Sequence, residues 1–166
     1  MKINNKKIWD QIYKKNSNNS IWPWTDLISE VSKHMPNLKR KLNVLELGFG
    51  AGANIPFFLN NKFEYHGIES SLTIAKKVNK KFKIGKNLKC DDFGKKINFE
   101  KKFDIIFDRA SICCNNSKII ATISENIYEK LEVGGLFIGI DWYSTNCKNL
   151  ITGSKNIFNK IGYINF

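Results

Sequence analysis

Arginine is almost missing from this chain. Of 27 basic residues only Arg40 and Arg109 are arginines; the other 25 are lysines. Arginine is the side chain that grips phosphates and base edges bidentately. The net charge of +12 therefore reads as a solvated lysine surface, and no specific nucleic-acid partner is expected. Nonspecific attraction to polyanions is what such a charge provides. Long apolar runs are lacking too. None approaches the roughly 20 residues that span a bilayer, and the basic start, Met1 to Lys15, has no apolar segment of the secretory kind. No membrane partner is expected. Cysteine and histidine are few. Cys90, Cys113, Cys114 and Cys147 form neither a disulfide framework nor a C-x-x-C pattern, and only His34 and His66 are present, so no metal site is expected. The expected compartment is a reducing cytoplasm.

What is present is an alternation of strands and helices. The 166 residues suit one domain with one core. Lys6 to Lys15 reads as a helix, with Ile8/Ile12 and Trp9/Tyr13 paired at i,i+4. Trp22-Pro23-Trp24 is a rigid bend, and Thr25-Asp26 opens a helix that stops near Pro36. Strands are expected at Leu42 to Leu47, Glu64 to Glu69, Asn87 to Cys90, Phe103 to Phe107 and Leu136 to Ile140. Ser70-Ser71 caps one intervening helix. Ser117 to Leu131 forms another, with Ile120, Ile123, Ile127 and Leu131 along one stripe. A turn, Glu132 to Gly135, leads into the fifth strand. This order predicts a Rossmann-like α/β fold: a parallel sheet of five clear strands with helices on both faces.

Ligands of such sheets bind beyond the carboxyl ends of the strands. There the sequence places an acid at every strand end: Glu46, Glu69, Asp91-Asp92, Asp108 and Asp141. The first strand also runs into Gly48-Phe49-Gly50-Ala51-Gly52, a turn whose glycines tolerate positive φ and let a ligand approach the backbone. Glu69 follows Gly48 by 21 residues, the place of an acid that accepts from a ribose; favourable contact with the next helix N-terminus is the alternative. The glycines fit the dinucleotide fingerprint G-x-G-x-x-G/A. With Glu46 they also fit E-x-G-x-G-x-G. A carboxylate at Glu46 would repel a pyrophosphate but suits a cationic ligand without phosphate, such as S-adenosylmethionine.

Residues 42 to 143 resemble a class I S-adenosylmethionine-dependent methyltransferase. Val44 to Gly52 match that family's first motif, Tyr65 to Ser70 the second-strand acid, and Asp91-Asp92-Phe93 the adenine-contact segment. Phe103 to Ala110 match the fourth-strand motif. Leu131 to Phe137 match the turn into strand five, with Val133 in place of the usual proline. The resemblance implies that Glu46 holds the ammonium end of the cofactor, that Gly48, Gly50 and Gly52 pass its methionine portion, and that Glu69, with Ser70 beside it, holds the ribose. Asp92 and Phe93 would contact adenine. Asp108 would line the methionine side or the target, and Asp108 and Asp141 are the candidate bases for an acceptor that must lose a proton. The acceptor implied is a small molecule. Trp9, Tyr13, Trp22 and Trp24 either close the site or simply pack an N-terminal helix pair. Cys113-Cys114, after the fourth-strand loop, either faces the substrate or, the simpler reading, is buried filler.

Within the one domain, 1–41 reads as a helical cap, 42–143 as the cofactor-binding core, and 144–166 as a short helix (Lys148 to Lys160) with a strand stub (Gly162 to Phe166). Only 23 residues follow Tyr143, so the family's final antiparallel hairpin is expected to be missing or incomplete. The sheet would end at strand five or at one unpaired strand. An apolar edge of that kind invites self-association. A cofactor binder without transferase activity and a nicotinamide-dependent oxidoreductase are the alternative functions.

Overall fold

The computed structural model describes residues 5–15, 19–34, 41–142 and 160–164, with the backbone alone at 5, 141, 142 and 160–164. Its elements run α1 (Asn5–Lys14), α2 (Thr25–His34), β1 (Asn43–Leu47), α3 (Ile55–Asn60), β2 (Glu64–Glu69), α4 (Leu72–Phe82), β3 (Leu88–Cys90), β4 (Phe103–Arg109), α5 (Ser117–Lys130), β5 (Leu131–Trp142) and β6 (Lys160–Ile164). One sheet carries all six strands in the order β3-β2-β1-β4-β5-β6. The first five pair in parallel. This is the Rossmann-like order, in which the chain leaves β1 toward one edge and returns at β4 toward the other.

Alternation along the strands sorts the side chains between two cores. Val44, Tyr65, Ile105, Phe107 and Ile138 face a cluster shared with α1 to α4, including Leu27, Ile55, Phe58 and Val78. Leu45, Leu47, Ile68, Ile106 and Phe137 face the other side, where Ile123 and Ile127 of α5 cover them together with Phe93, Ile97 and Phe99. Among the described residues helices thus lie on both faces, four on one and a single long one on the other. His66 is a buried strand residue on the α5 side, set edge-on to Phe99 and Phe103. Burial lowers its pKa.

The caps follow the sequence. The Ser71 hydroxyl accepts from the Ile74 N–H at the start of α4, and Asn116 does the same for Ile119 in α5. Two further bonds tie α1 to the start of α4. The Asp10 carboxylate accepts from the Ser71 hydroxyl at 2.8 Å and the Thr73 N–H at 3.0 Å. These bonds hold its pKa well below the usual carboxylate range. An acid borrowed from α1 thus sits at the N-terminus of α4, where its charge is favoured.

The expected turn at Glu132–Gly135 interrupts the β4–β5 ladder: Leu131 pairs opposite Phe103 and pairing resumes with Leu136 opposite Ile105, with Gly134 between them at φ +78°. One expectation is corrected. The edge of β5 is not bare. β6 pairs antiparallel with it, Ile138 opposite Tyr163 and Gly139 opposite Gly162. The final hairpin is therefore incomplete, as expected, but its one described strand is paired, and β6 rather than β5 forms that edge of the sheet. Residues 148–159 of the expected C-terminal helix lie outside the described residues, and Lys160 belongs to β6.

Phe58 links α3 to the sheet beneath the glycine turn. Its ring is fully buried, 5.2 Å from Phe107 and 5.3 Å from Phe63, centre to centre. We expect Phe58→Ala to cost about 3–5 kcal/mol, the range for a buried aromatic truncated to alanine. Urea unfolding measures this, and a loss below about 1 kcal/mol would show that the sheet does not depend on this contact.

Candidate active site

A cavity of about 850 Å³ opens at the carboxyl ends of β1 to β4. Glu46, Gly48 and Gly50 line it from the first strand and its turn. Glu69 and Ser70 line it from the second, and Asp92 and Phe93 from the third. The other expected residues stand elsewhere. Gly52 is not among the lining residues: a Cβ there would lie 2.9 Å from Ile55 Cδ1 and 3.0 Å from the Phe82 ring, so its place is in the packing of α3 against α4. Asp108 is fully buried behind the wall. Asp141 is the next-to-last residue of β5, and its side chain lies outside the described residues.

Glu46 is the most constrained acid. It sits in mid-sheet, 4% exposed. One oxygen accepts from Asn54 Nδ2 at 2.8 Å, and the other accepts from the Tyr65 hydroxyl. Space for that hydroxyl comes from Gly67, which pairs with Glu46 across the ladder. A Cβ at Gly67 would stand 3.2 Å from the Tyr65 oxygen and 2.7 Å from the Phe49 ring. Asn54 occupies the N-cap position of α3, yet its side chain does not cap the helix. It bridges instead, accepting from the Trp24 N–H at 3.2 Å while donating to Glu46. Burial pushes the Glu46 carboxyl up to about 8. The hydrogen bonds from Tyr65 and Asn54 oppose that rise, and the neighbouring Asp108 and Glu69 add to it.

Glu69 closes the turn from the other side. Its carboxylate accepts from the Gly50 N–H at 3.1 Å and the Ser71 N–H at 2.8 Å. Burial still raises its pKa. Tyr13 of α1 lies over this turn: a Cβ on Gly50, where φ is +50°, would be 2.8 Å from the Tyr13 hydroxyl oxygen. Gly48, with φ of +75°, is required for a different reason. A Cβ there would meet the Ser111 Cβ at 2.6 Å. The conformational freedom of these glycines therefore serves close packing by Tyr13 and Ser111 as well as an open floor.

Asp108 organises the loop after β4. One of its oxygens accepts from the Ser111 N–H at 3.1 Å, the Ile112 N–H at 3.2 Å and the Ser111 hydroxyl. That hydroxyl is also 2.8 Å from the Leu47 carbonyl. The strained step is Ala110, a non-glycine residue at φ +56°. The acid that sequence places on the methionine side or at the target is thus occupied in shaping the loop that brings Ser111 and Cys114 to the cavity.

Trp9, Tyr13 and Trp24 line the cavity, whereas Trp22 is 76% exposed and does not. Cys114 is not filler. It is exposed, lines the cavity, and its thiol is lowered to about 7, chiefly by a hydrogen bond from Cys113. The residues that sequence reasoning passed over are Asn54, Tyr65, Arg109 and Ser111. Tyr65 alone had a legible signal: it stands two residues before Gly67 on one strand face, beside an acid on the next strand.

No protein-family model matches the chain, and no curated protein matches it. Solved structures do. The CcbJ methyltransferase of Streptomyces caelestis is 25% identical with a TM-score of 0.58, covering 71% of this chain and 49% of its own. An S-adenosylmethionine-dependent methyltransferase of Clostridium acetobutylicum is 21% identical with a TM-score of 0.61, covering 81% and 55%. The sugar N-methyltransferase KedS8 of Streptoalloteichus is 15% identical with a TM-score of 0.65, covering 81% and 54%. The chain has the fold of the class I S-adenosylmethionine-dependent methyltransferases and spans about half the length of these neighbours.

The raised pKa of Glu46 has a consequence for stability. An unfolded glutamate ionises near 4.5, whereas folded Glu46 holds its proton to about 8. The folded state therefore binds the extra proton between these values, and its contribution is lost as pH rises through that window. We expect Glu46→Gln, which has no proton to lose, to flatten the decline by up to about 1.4 kcal/mol per pH unit between pH 5 and 8. Paired urea titrations of both proteins measure it; parallel curves would show that Glu46 ionises normally.

Proposed function

We propose that this protein binds S-adenosylmethionine in the cavity and transfers its methyl group to a small-molecule acceptor. The observation that carries the reading is the pair of buried carboxylates, Glu46 and Glu69, facing one cavity beside a glycine turn. Two acids held from water are costly unless a cation or hydroxyl donors meet them. A dinucleotide would bring its pyrophosphate to that turn and add negative charge to both. The residues fit a ligand with an ammonium and a ribose and no phosphate.

In this reading Glu46, fixed by Tyr65 and Asn54, meets the ammonium end. Glu69 offers its remaining acceptor capacity to the ribose, while its bonds to Gly50 and Ser71 fix its orientation. Asp92 and Phe93 border the adenine end. When bound, S-adenosylmethionine supplies a methyl group on a sulfonium, which leaves to an acceptor lone pair while sulfur keeps the bonding electrons. What the chain contributes is alignment and exclusion of water: Trp9 and Tyr13 cover the turn, and the loop fixed by Asp108 shapes the acceptor side. An acceptor hydroxyl or amine must also release a proton. Asp108 is committed to its loop, so we assign that role to Asp141, which β5 carries to the same rim. The sugar N-methyltransferase among the structural neighbours supports a small-molecule acceptor.

Isothermal titration tests the reading. S-adenosylhomocysteine is expected to bind well above NAD, and tighter NAD binding would overturn the assignment. Glu69→Ala is expected to weaken S-adenosylhomocysteine by about 1–3 kcal/mol, the range for a hydrogen bond to a charged group. Because an ammonium favours ionised Glu46, binding near pH 7 is expected to release a proton. Affinity then rises with pH up to about 8, and Glu46→Gln removes that dependence. Equal proton release in both proteins would separate Glu46 from the ligand.

A further inference from the structure

The lysines of this chain are not spread evenly. From Ser70 to Cys90 there are seven of them and no acid, which is +7 of the net +12. That segment holds α4, the turn after it and β3. Other helices balance their charges. α5 sets Lys118 and Lys130 against Glu125 and Glu129, and α2 sets Lys33 against Asp26 and Glu30. A chain-wide preference for lysine would load those helices too, so it does not account for α4.

The fold gives the charge one direction. Ile74, Ala75 and Val78 bury one face of α4 in the core. Lys76 and Lys80, one helical turn apart, are exposed on the opposite face, with exposed Lys77 and Lys81 beside them. Beyond the helix the Asn79 side chain accepts from the Gly85 N–H at 2.9 Å. That bond fixes the turn carrying Lys83 and Lys86, both exposed. Among the described residues no acid or other acceptor holds the ammonium groups of Lys76, Lys80, Lys83 or Lys86. The helix bears a cost for this arrangement. Lys76/Lys80 and Lys77/Lys81 are like-charge pairs at i,i+4, and each is destabilising. The helix dipole favours lysine only in the last turn, at Lys80 and Lys81.

A partner of dense negative charge relieves that repulsion, and three features narrow its class. The apolar face of α4 is already buried, so the helix cannot lie in a lipid surface as an amphipathic anchor does. The one aromatic of the segment, Phe82, packs half-buried against the core, so no ring stands out for unpaired bases to stack on. The charges are all lysine, which meets phosphates as a point charge and reads no bases. We infer that the exposed face of α4, with the turn that follows it, docks the phosphate backbone of a nucleic-acid duplex without sequence preference. α4 starts beside Glu69 and runs back toward the amino ends of the strands, and none of its lysines lines the cavity. The docking surface thus goes beyond the methyl-transfer reading and does not depend on it.

Fluorescence anisotropy tests this with two labelled DNA duplexes of unrelated sequence and with the single strand of one of them. Cosedimentation with phosphatidylglycerol–phosphatidylcholine vesicles gives the comparison with lipid, expressed per phosphate. Both duplexes are expected to bind alike, more tightly than the single strand or the vesicles. With about four or five phosphates neutralised, log K is expected to fall with log salt at a slope of about −4. A variant combining Lys76→Gln, Lys80→Gln, Lys83→Gln and Lys86→Gln is expected to bind duplex about tenfold or more weakly near 50 mM salt and to lose most of that slope. A control of the same net charge combines Lys41→Gln, Lys96→Gln, Lys102→Gln and Lys118→Gln, exposed lysines from four other places. It is expected to lose no more than about threefold. Equal losses in the two variants would overturn the inference. So would duplex binding no tighter than that of the single strand or the vesicles, or a sequence preference that survives physiological salt. Exposed lysine-to-glutamine changes are close to neutral for folding, and circular dichroism checks both variants. Should the α4 variant not fold, acetylation of the wild type decides. Bound duplex is expected to shield Lys76 and Lys80 several-fold more than Lys41 and Lys118, and equal modification would overturn the inference.

Discussion

The burial of Glu46 in the middle of a parallel sheet is the constraint on which the rest of this site depends. A carboxyl group there must be hydrogen-bonded, protonated or met by a cation. The fold supplies the first through Tyr65 and Asn54, and each partner imposes a further condition. Tyr65 needs the gap at Gly67. Asn54 gives up capping α3 and takes the Trp24 N–H on its other end. The first strand, the second strand, the start of α3 and the approach to α2 are thereby tied to one acid. Without the demands of Glu46, an aromatic or aliphatic residue in its place would pack more cheaply, and none of these polar contacts would be needed.

The backbone plan was legible because it rests on periodicity. The five parallel strands are near-continuous apolar runs, and β2 begins and ends where sequence places it. The acids at the strand ends were legible for the same reason: topology sends every parallel strand end to one rim. The side-chain network was not. Asn54 follows the glycine turn at the N-cap position of α3 and drew no reading, because local rules cannot show that a tertiary acceptor outcompetes its own helix. Asp108 reads as a site residue by position, yet the nearest unsatisfied donors were the N–H groups of its own loop. Residue types at strand ends show which groups reach the rim. Which of them face the cavity depends on competition among neighbours a few ångströms apart.

The C-terminal side shows the same limit from another direction. Leu136 to Ile140 read as an exposed apolar edge because few residues follow it in sequence. β6 nevertheless pairs there in the antiparallel sense, which requires only a handful of residues. Counting residues measures how much chain is available, not whether a short stretch such as Lys160–Ile164 is enough to satisfy the N–H and C=O groups of an edge.

The electrostatics of the cavity join these strands of evidence. A strongly basic chain concentrates buried acids at one end of one cavity, and there it fixes them with neutral donors, Tyr65, Asn54 and backbone N–H groups, in place of lysines. A lysine partner would satisfy those acids permanently and leave nothing for a cationic ligand to gain. Neutral donors orient the carboxylates while leaving their charge uncompensated, which burial then resists by raising both pKa values. In the methyl-transfer reading that electrostatic cost is relieved by a ligand that brings the positive charge itself, and the carboxylates need no reorientation when it arrives.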